Sequence, residues 1–138
     1  MTGPAAGEEF TVPIVSTDDV VRARQTVRTA AQQCGLSLVD QTKLVTAASE
    51  LARNTLVYGG GGVMVCTVAR REGRLGVRAV FEDRGPGIPD LGLALTDGWT
   101  SGGGLGLGLS GARRLVDDFD LDSEPGVGTK VSVTKWAR

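Results

Sequence analysis

The chain has no histidine. That absence removes Ser-His-Asp hydrolysis, His-ligated zinc and phosphohistidine formation on this chain. There are only two cysteines, Cys34 and Cys66, far apart and at no metal-ligand spacing. Two reduced thiols of a cytoplasmic protein are the expectation. No run of about 18 apolar residues occurs, so no membrane span is expected. Excess charge of either sign is also missing: the net charge is −1, which argues against a nucleic-acid partner. The opening "MTGPAAGEEF" is neither basic nor followed by an apolar core, so no signal peptide is expected. Its Gly, Pro and Ala predict a frayed tail over residues 1–9.

What is present is enough for one domain, over 10–138. The chain has 138 residues, 41% of them hydrophobic, which is enough for a core and too short for two domains. "EEFTVPIVS" (8–16) reads as a strand, and Pro13 makes it an edge strand. A helix follows, capped by Ser16 or Thr17, with Asp18 and Asp19 in its first turn and Gly35 as its stop. Ser37 caps a second, longer helix that Gly59 to Gly62 terminate. "VMVCTVARREGRLGVRAVFEDRGPG" reads as a hairpin turning at "REGR". The segment after it reads as loop with one short helical turn. The glycine stretch then opens a helix running to about Asp118, and "FDLDS" and "GVGTKVSVTKWA" form a last pair of strands. The order β-α-α-β-β-α-β-β segregates helices from strands. It predicts an α+β two-layer sandwich, with a mixed, mainly antiparallel sheet and helices on one face. An apolar edge such as the first strand can support a homodimer.

Three features stand out as chemistry. At about 100° per residue, the second helix turns Leu44, Ala47, Ala48, Leu51, Thr55 and Tyr58 inward. Glu50 and Asn54, four apart, stand one above the other at the edge of that stripe. Such an oxygen-rich pair suits Mg²⁺, or a carboxylate that accepts a hydroxyl proton; taken alone it reads more simply as an ordinary solvated flank. Asp83 ends a strand whose Leu75, Val77, Ala79 and Phe81 share its face. A carboxylate there needs a partner. It either caps the following turn or accepts an N–H from a ligand, with Gly85 and Gly87 letting the turn approach a flat molecule. Third, "TSGGGLGLGLSGARRLV" places bare backbone at the mouth of an apolar helix. It contains Gly106-x-Gly108-x-x-Gly111, but no preceding strand or βαβ unit makes it a dinucleotide fingerprint, and no Lys-Ser or Lys-Thr makes it a Walker loop. Helix-start N–H groups that hold phosphate oxygens remain as the functional reading, against a flexible linker.

The order "ELARN", "DRGPGI", "GGGLGLGL" and then "GT" at Gly128–Thr129 resembles the ATP-binding pattern of the GHKL superfamily. The resemblance covers roughly residues 10–136. Within the superfamily the chain looks like the small anti-sigma-factor serine/threonine kinases, nearest to the RsbT-type switch kinases. "DRGPGIPD", "GGGLGLGLSGARRL" and "GTKVSVTKW" carry that closer match. The resemblance implies the Bergerat ATP-binding fold, with ATP and Mg²⁺ as cofactors. It implies that Asn54 holds Mg²⁺ and that Glu50 is the general base. Asp83 would accept from the adenine amino group, Thr129 would help on the same edge, and Gly85 and Gly87 would shape the pocket. Gly102, Gly103, Gly104, Leu105, Gly106, Leu107 and Gly108 would bind the nucleotide, with Gly104, Gly106 and Gly108 wrapping its phosphates and residues 97–104 forming a lid. Arg53 is a phosphate or partner contact, or else a surface arginine. Trp99 packs on the nucleotide or on a partner.

By the same resemblance the substrate is a serine or threonine of a STAS-domain antagonist protein. Phosphorylation would release the kinase to bind a sigma factor or a PP2C-type phosphatase in stress-response control. Two other readings stand beside it. One is a non-catalytic ATP-binding anti-sigma factor that sequesters its partner; an intact Glu50 leans against it, since a pure binder needs no base. The other is a detached histidine-kinase-like ATPase domain, which would need a phosphoacceptor histidine on a companion chain.

Overall fold

The computed structural model describes residues 7–88, 95 and 108–138. The elements run β1 (Glu9–Ile14), α1 (Thr17–Gln33), α2 (Leu38–Val57), β2 (Gly62–Arg71), β3 (Arg74–Asp83), α3 (Leu109–Leu115), β4 (Asp118–Glu124) and β5 (Gly128–Trp136). One five-stranded sheet has the order β1-β2-β3-β5-β4, with every neighbouring pair antiparallel. It therefore lies at the antiparallel end of the expected mixed sheet.

Local chemistry sets the element boundaries. Asp19 closes the start of α1 by accepting from the backbone N–H groups of Val15 (2.9 Å) and Ser16 (3.1 Å), which holds its carboxyl below the ordinary range. At the other end Gly35 adopts φ +81°. The N–H groups of Gly35 and Leu36 then bond back to Gln32 and Ala31, a Schellman stop that favours glycine. Ser37 caps α2 by accepting from the Asp40 N–H at 3.1 Å. The β2–β3 hairpin turns through Glu72 and Gly73, both at positive φ, the paired left-handed geometry that matches strand twist. Pro13 sits on edge strand β1 as expected. There its missing N–H costs the sheet least.

The helix-facing side of the sheet is built in rows. Ile14, Gly62, Asp83, Thr129 and Ser123 form one row across all five strands. The next row is Val12, Met64, Phe81, Val131 and Leu121. Met64, Phe81 and Val131 of that second row are buried against Leu44, Ala48 and Leu51 of α2. Cys34 and Cys66 lie in this core as free thiols, and burial pushes the Cys66 thiol up to about 12. At the far end, buried Lys135 lies 3.7 Å from Asp40 of α2 and 3.5 Å from Asp117. That pairing satisfies the cation and ties β5 to the start of α2.

Two boundaries differ from expectation. The third helix ends at Leu115, not near Asp118. Val116 is extended, and the Asp117 N–H donates to the Thr134 carbonyl at 2.9 Å. Its carboxylate accepts from the Trp136 N–H at 2.8 Å. Ladder bonds to β5 therefore replace another helical turn. The expected tail of 1–9 also overlaps the sheet, because Glu9 pairs with Thr67, and Gly7 and Glu8 bond to Val68. The lid 97–104, Trp99, and Gly102, Gly103, Gly104, Leu105, Gly106 and Leu107 lie outside the described residues. No helix among the described residues is long and apolar enough to cross a membrane.

Leu44 is wholly buried between α2 and the sheet. Leu44→Ala is expected to lower the unfolding free energy by about 2–5 kcal/mol in urea titration. A loss below about 1 kcal/mol would mean that the α2–sheet interface is not the core of this domain.

Candidate functional site

A cleft opens where the row that begins with Ile14 meets the end of α2. Leu51, Asn54, Thr55 and Tyr58 line it from α2, Phe81 and Asp83 from β3, and Thr129 and Val131 from β5, with Ile88 and Leu109 completing the wall. Its floor is apolar, and polar groups are few and convergent, as in small-molecule sites.

Asp83 and Thr129 are direct cross-strand partners, so their side chains stand side by side on the cleft face. The Asp83 Oδ1 accepts from the Gly85 N–H at 2.8 Å. The turn-capping reading of this aspartate is therefore realised, and the same residue also lines the cleft. Burial pushes the Asp83 carboxyl above its ordinary range, and the N–H groups of Gly85 and Thr129 offset part of that rise.

Close approach at this end depends on small residues. A Cβ on Gly59, just past α2, would run into the Asp83 carboxylate, and one on Gly62 would come within 2.8 Å of Thr55 Cγ2. Gly85 packs on Gly59, where a Cβ would lie 2.7 Å from its Cα. Gly87 is buried, and its carbonyl accepts from the Tyr58 hydroxyl at 3.0 Å. Gly85 and Gly87 thus hold the turn down on the end of α2, which shapes the cleft wall indirectly.

Glu50 lies one helical turn before Asn54 on α2 and is 38% exposed at its side chain. It does not line the cleft. Instead its carboxylate lies against Gly108, the N-cap of α3, where a Cβ would fall 2.5 Å from Glu50 Oε2. Gly108 has φ +63°, a backbone conformation that favours glycine. Arg53 Nη2 is 3.9 Å from Glu50 Oε1, with 59% of its side chain exposed. That pair is long and wet, and contributes little to stability.

Three residues carry more than their sequence context shows. Gly59 reads as a helix stop, yet it makes room for Asp83. Tyr58 reads as core, yet its hydroxyl pins the Gly87 turn. Ser123 reads as an ordinary strand residue. Its hydroxyl lies 2.8 Å from the Thr129 hydroxyl and accepts from the Ile88 N–H at 2.7 Å. The alternation Phe119, Leu121, Ser123 on a strand that ends beside Thr129 was the available signal.

Residues 39–137 match the family model described as histidine kinase-, DNA gyrase B- and HSP90-like ATPase. The chain is 42% identical over 131 residues to the serine/threonine-protein kinase RsbT of Bacillus subtilis, covering 95% of this chain and 98% of that one. It is 30% identical over 120 residues to the anti-sigma F factor of Bacillus licheniformis, covering 82% and 81%. Among solved structures it superposes with the RsbU and RsbW domains of Rv1364c from Mycobacterium tuberculosis. There the TM-score is 0.66 at 22% identity, over 98% of this chain and 34% of that longer one. The catalytic domain of histidine kinase ThkA gives a TM-score of 0.53 at 16% identity, over 95% of each chain. These two structures share its fold.

The raised Asp83 carboxyl has a consequence for the free protein. The folded state holds that proton more tightly than the unfolded chain, so stability falls as pH rises from about 4 through the folded pKa. Asp83→Asn removes that penalty and keeps an acceptor for Gly85. Its thermal midpoint at pH 7 without nucleotide should equal or exceed the wild-type value. A clearly lower midpoint would show that the carboxylate is structural rather than held in reserve for a ligand.

Proposed function

The chain belongs to the histidine kinase-, DNA gyrase B- and HSP90-like ATPase family, and on that premise we propose its reaction in full. It is an ATP-dependent serine/threonine protein kinase. Its substrate is a serine or threonine on a small STAS-domain antagonist protein in the cytoplasm. Phosphorylation of the antagonist frees the kinase to bind a second target, a sigma factor or a PP2C-type phosphatase, so that partner exchange sets the stress response. The observation that carries this reading is the pairing of Asp83 with Thr129 over an apolar floor, in the same cleft that Asn54 of α2 lines.

Each residue has a chemical task. Asp83, an ionised carboxylate in a partly desolvated wall, accepts from the adenine amino group. Thr129 works on the same edge. Phe81, Val131 and Ile88 exclude water from the faces of the ring. The triphosphate runs toward α2 and the glycine stretch 102–108. At its end the acceptor hydroxyl oxygen forms a bond to the γ-phosphorus as the bond from that phosphorus to the β–γ bridging oxygen breaks. Glu50 takes the hydroxyl proton, and ADP carries the leaving oxygen. Glu50 suits that task because it is half-exposed, within reach of a partner's side chain, and held beside the Gly108 backbone.

Asn54 lines the cleft, and its side chain carries a carboxamide oxygen, a hard donor of the kind Mg²⁺ accepts. Among the described residues no group of three His, Cys, Asp or Glu can hold a metal, so phosphates and water would supply the other ligands, which fits an ion that arrives with its nucleotide. Magnesium would neutralise charge that builds on the phosphate oxygens. The anti-sigma F factor relatives keep a sequestering role in view. A base placed beside the phosphate end favours transfer over sequestration alone.

The test is incubation with ATP labelled at the γ-phosphate and candidate STAS-domain proteins. An acid-stable label on one serine or threonine of one partner is expected. Glu50→Gln should keep ATP affinity within about twofold and lose phosphotransfer by about two orders of magnitude or more. Transfer at the wild-type rate removes Glu50 as the base. In titration calorimetry Asp83→Asn should weaken ATP by about tenfold to hundredfold; unchanged affinity overturns the adenine assignment.

A further inference from the structure

Ser123 sits at the end of the row Asp83, Thr129, Ser123 and belongs to no motif named above. Its hydroxyl has three neighbours within hydrogen-bond distance. The Ile88 N–H donates to it at 2.7 Å. The Thr129 hydroxyl lies at 2.8 Å, where either oxygen can donate. The Gly128 carbonyl lies at 3.2 Å and can only accept. Ser123 has a single proton to give, so it has two states. It gives that proton to Gly128 and accepts from Thr129, or it gives it to Thr129.

We infer that Ser123 is a positioning residue for purine recognition, a relay that frees the Thr129 proton for the base. The inference rests on the reading of the cleft as an adenine site. In the first state the row is satisfied internally, and Thr129 shows the cleft only lone pairs. In the second, Thr129 receives a hydrogen bond from Ser123 and turns its own proton outward. The ring edge of adenine carries a donor, the 6-amino group, next to an acceptor, N1. Guanine reverses the order with O6 and N1–H. An ionised Asp83 matches the amino donor, and a Thr129 hydroxyl that donates, directly or through one water, matches N1. The second state therefore completes a pattern that fits adenine and misfits guanine.

The same oxygen fixes where the chain leaves the site. Ile88 is bonded to Ser123, and the preceding Gly87 carbonyl is held by Tyr58. Ser123 thus joins the base edge to the start of the segment that links β3 to α3. A side chain that merely filled space would not need three polar neighbours, and alanine at this site would strand the Ile88 N–H and leave Thr129 without its donor.

The test compares ATP with 1-deaza-ATP, which lacks the N1 acceptor, in wild type and Ser123→Ala. Wild type should prefer ATP by about tenfold. Ser123→Ala should lose most of that preference, binding ATP several-fold more weakly and 1-deaza-ATP as wild type does. Ser123→Thr, which keeps the hydroxyl, should restore the preference. If Ser123→Ala does not fold, Ser123→Cys keeps the volume with a weaker donor and should show a preference in between. A variant without the hydroxyl that weakens both nucleotides equally overturns the relay and leaves the adenine reading standing. Equal affinity of wild type for the two nucleotides overturns the relay and removes Thr129 from the N1 edge. No binding of ATP by wild type refutes the parent reading itself.

Discussion

A carboxylate held partly out of water at the end of a core-facing strand is the constraint around which this domain is arranged. Four residues before it on that face the strand carries apolar side chains, and Asp83 then meets a cleft instead of a core. One of its oxygens is engaged by the Gly85 N–H, and burial still raises its proton affinity. Ionising a carboxyl in that wall costs more than in water, and the backbone N–H groups beside it offset part of the cost. A hydrogen-bond donor brought into the cleft would relieve part of that cost.

That arrangement requires the second helix to end very near the sheet. Gly59 and Gly62 remove the side chains that would separate them, and Tyr58 fastens the turn on the other side. The same helix carries Asn54 on the cleft wall and Glu50 one turn earlier, beside Gly108. The two groups proposed for phosphate chemistry therefore share one rigid element, with Lys135 and Asp40 anchoring its opposite end. Rigid mounting matters because transfer depends on positioning, and small displacements of the reacting groups are costly.

The row of Asp83, Thr129 and Ser123 also shows how a sheet can order polar groups that no single strand could. Each strand contributes one residue, and the register sets Asp83 beside Thr129 and brings the Thr129 and Ser123 hydroxyls to 2.8 Å. The bond between those two hydroxyls can run in either direction. An antiparallel ladder fixes the spacing, so direction is the only freedom left to the hydroxyls.

Much of this was readable along the chain. Ser37 and Gly35 announced a helix start and a helix stop through bonds reaching no more than five residues. Pro13 marked an edge strand, and the alternation through Leu75 to Phe81 put Asp83 on the buried face. The sequence also held the order of the motifs, and with it the family. Other features depended on which strands became neighbours. The third helix was expected to continue to Asp118, but bonds to β5 captured Asp117 and Asp118. Lys135 reads as a solvated strand end until Asp40 is brought beside it from 95 positions away. Ser123 reads as a strand terminus until Thr129 and Ile88 converge on its oxygen. Caps and periodicity are set by bonds within a turn or a pleat, so the sequence alone determined them. Register and burial come from pairings between distant segments, and only the folded sheet decided those.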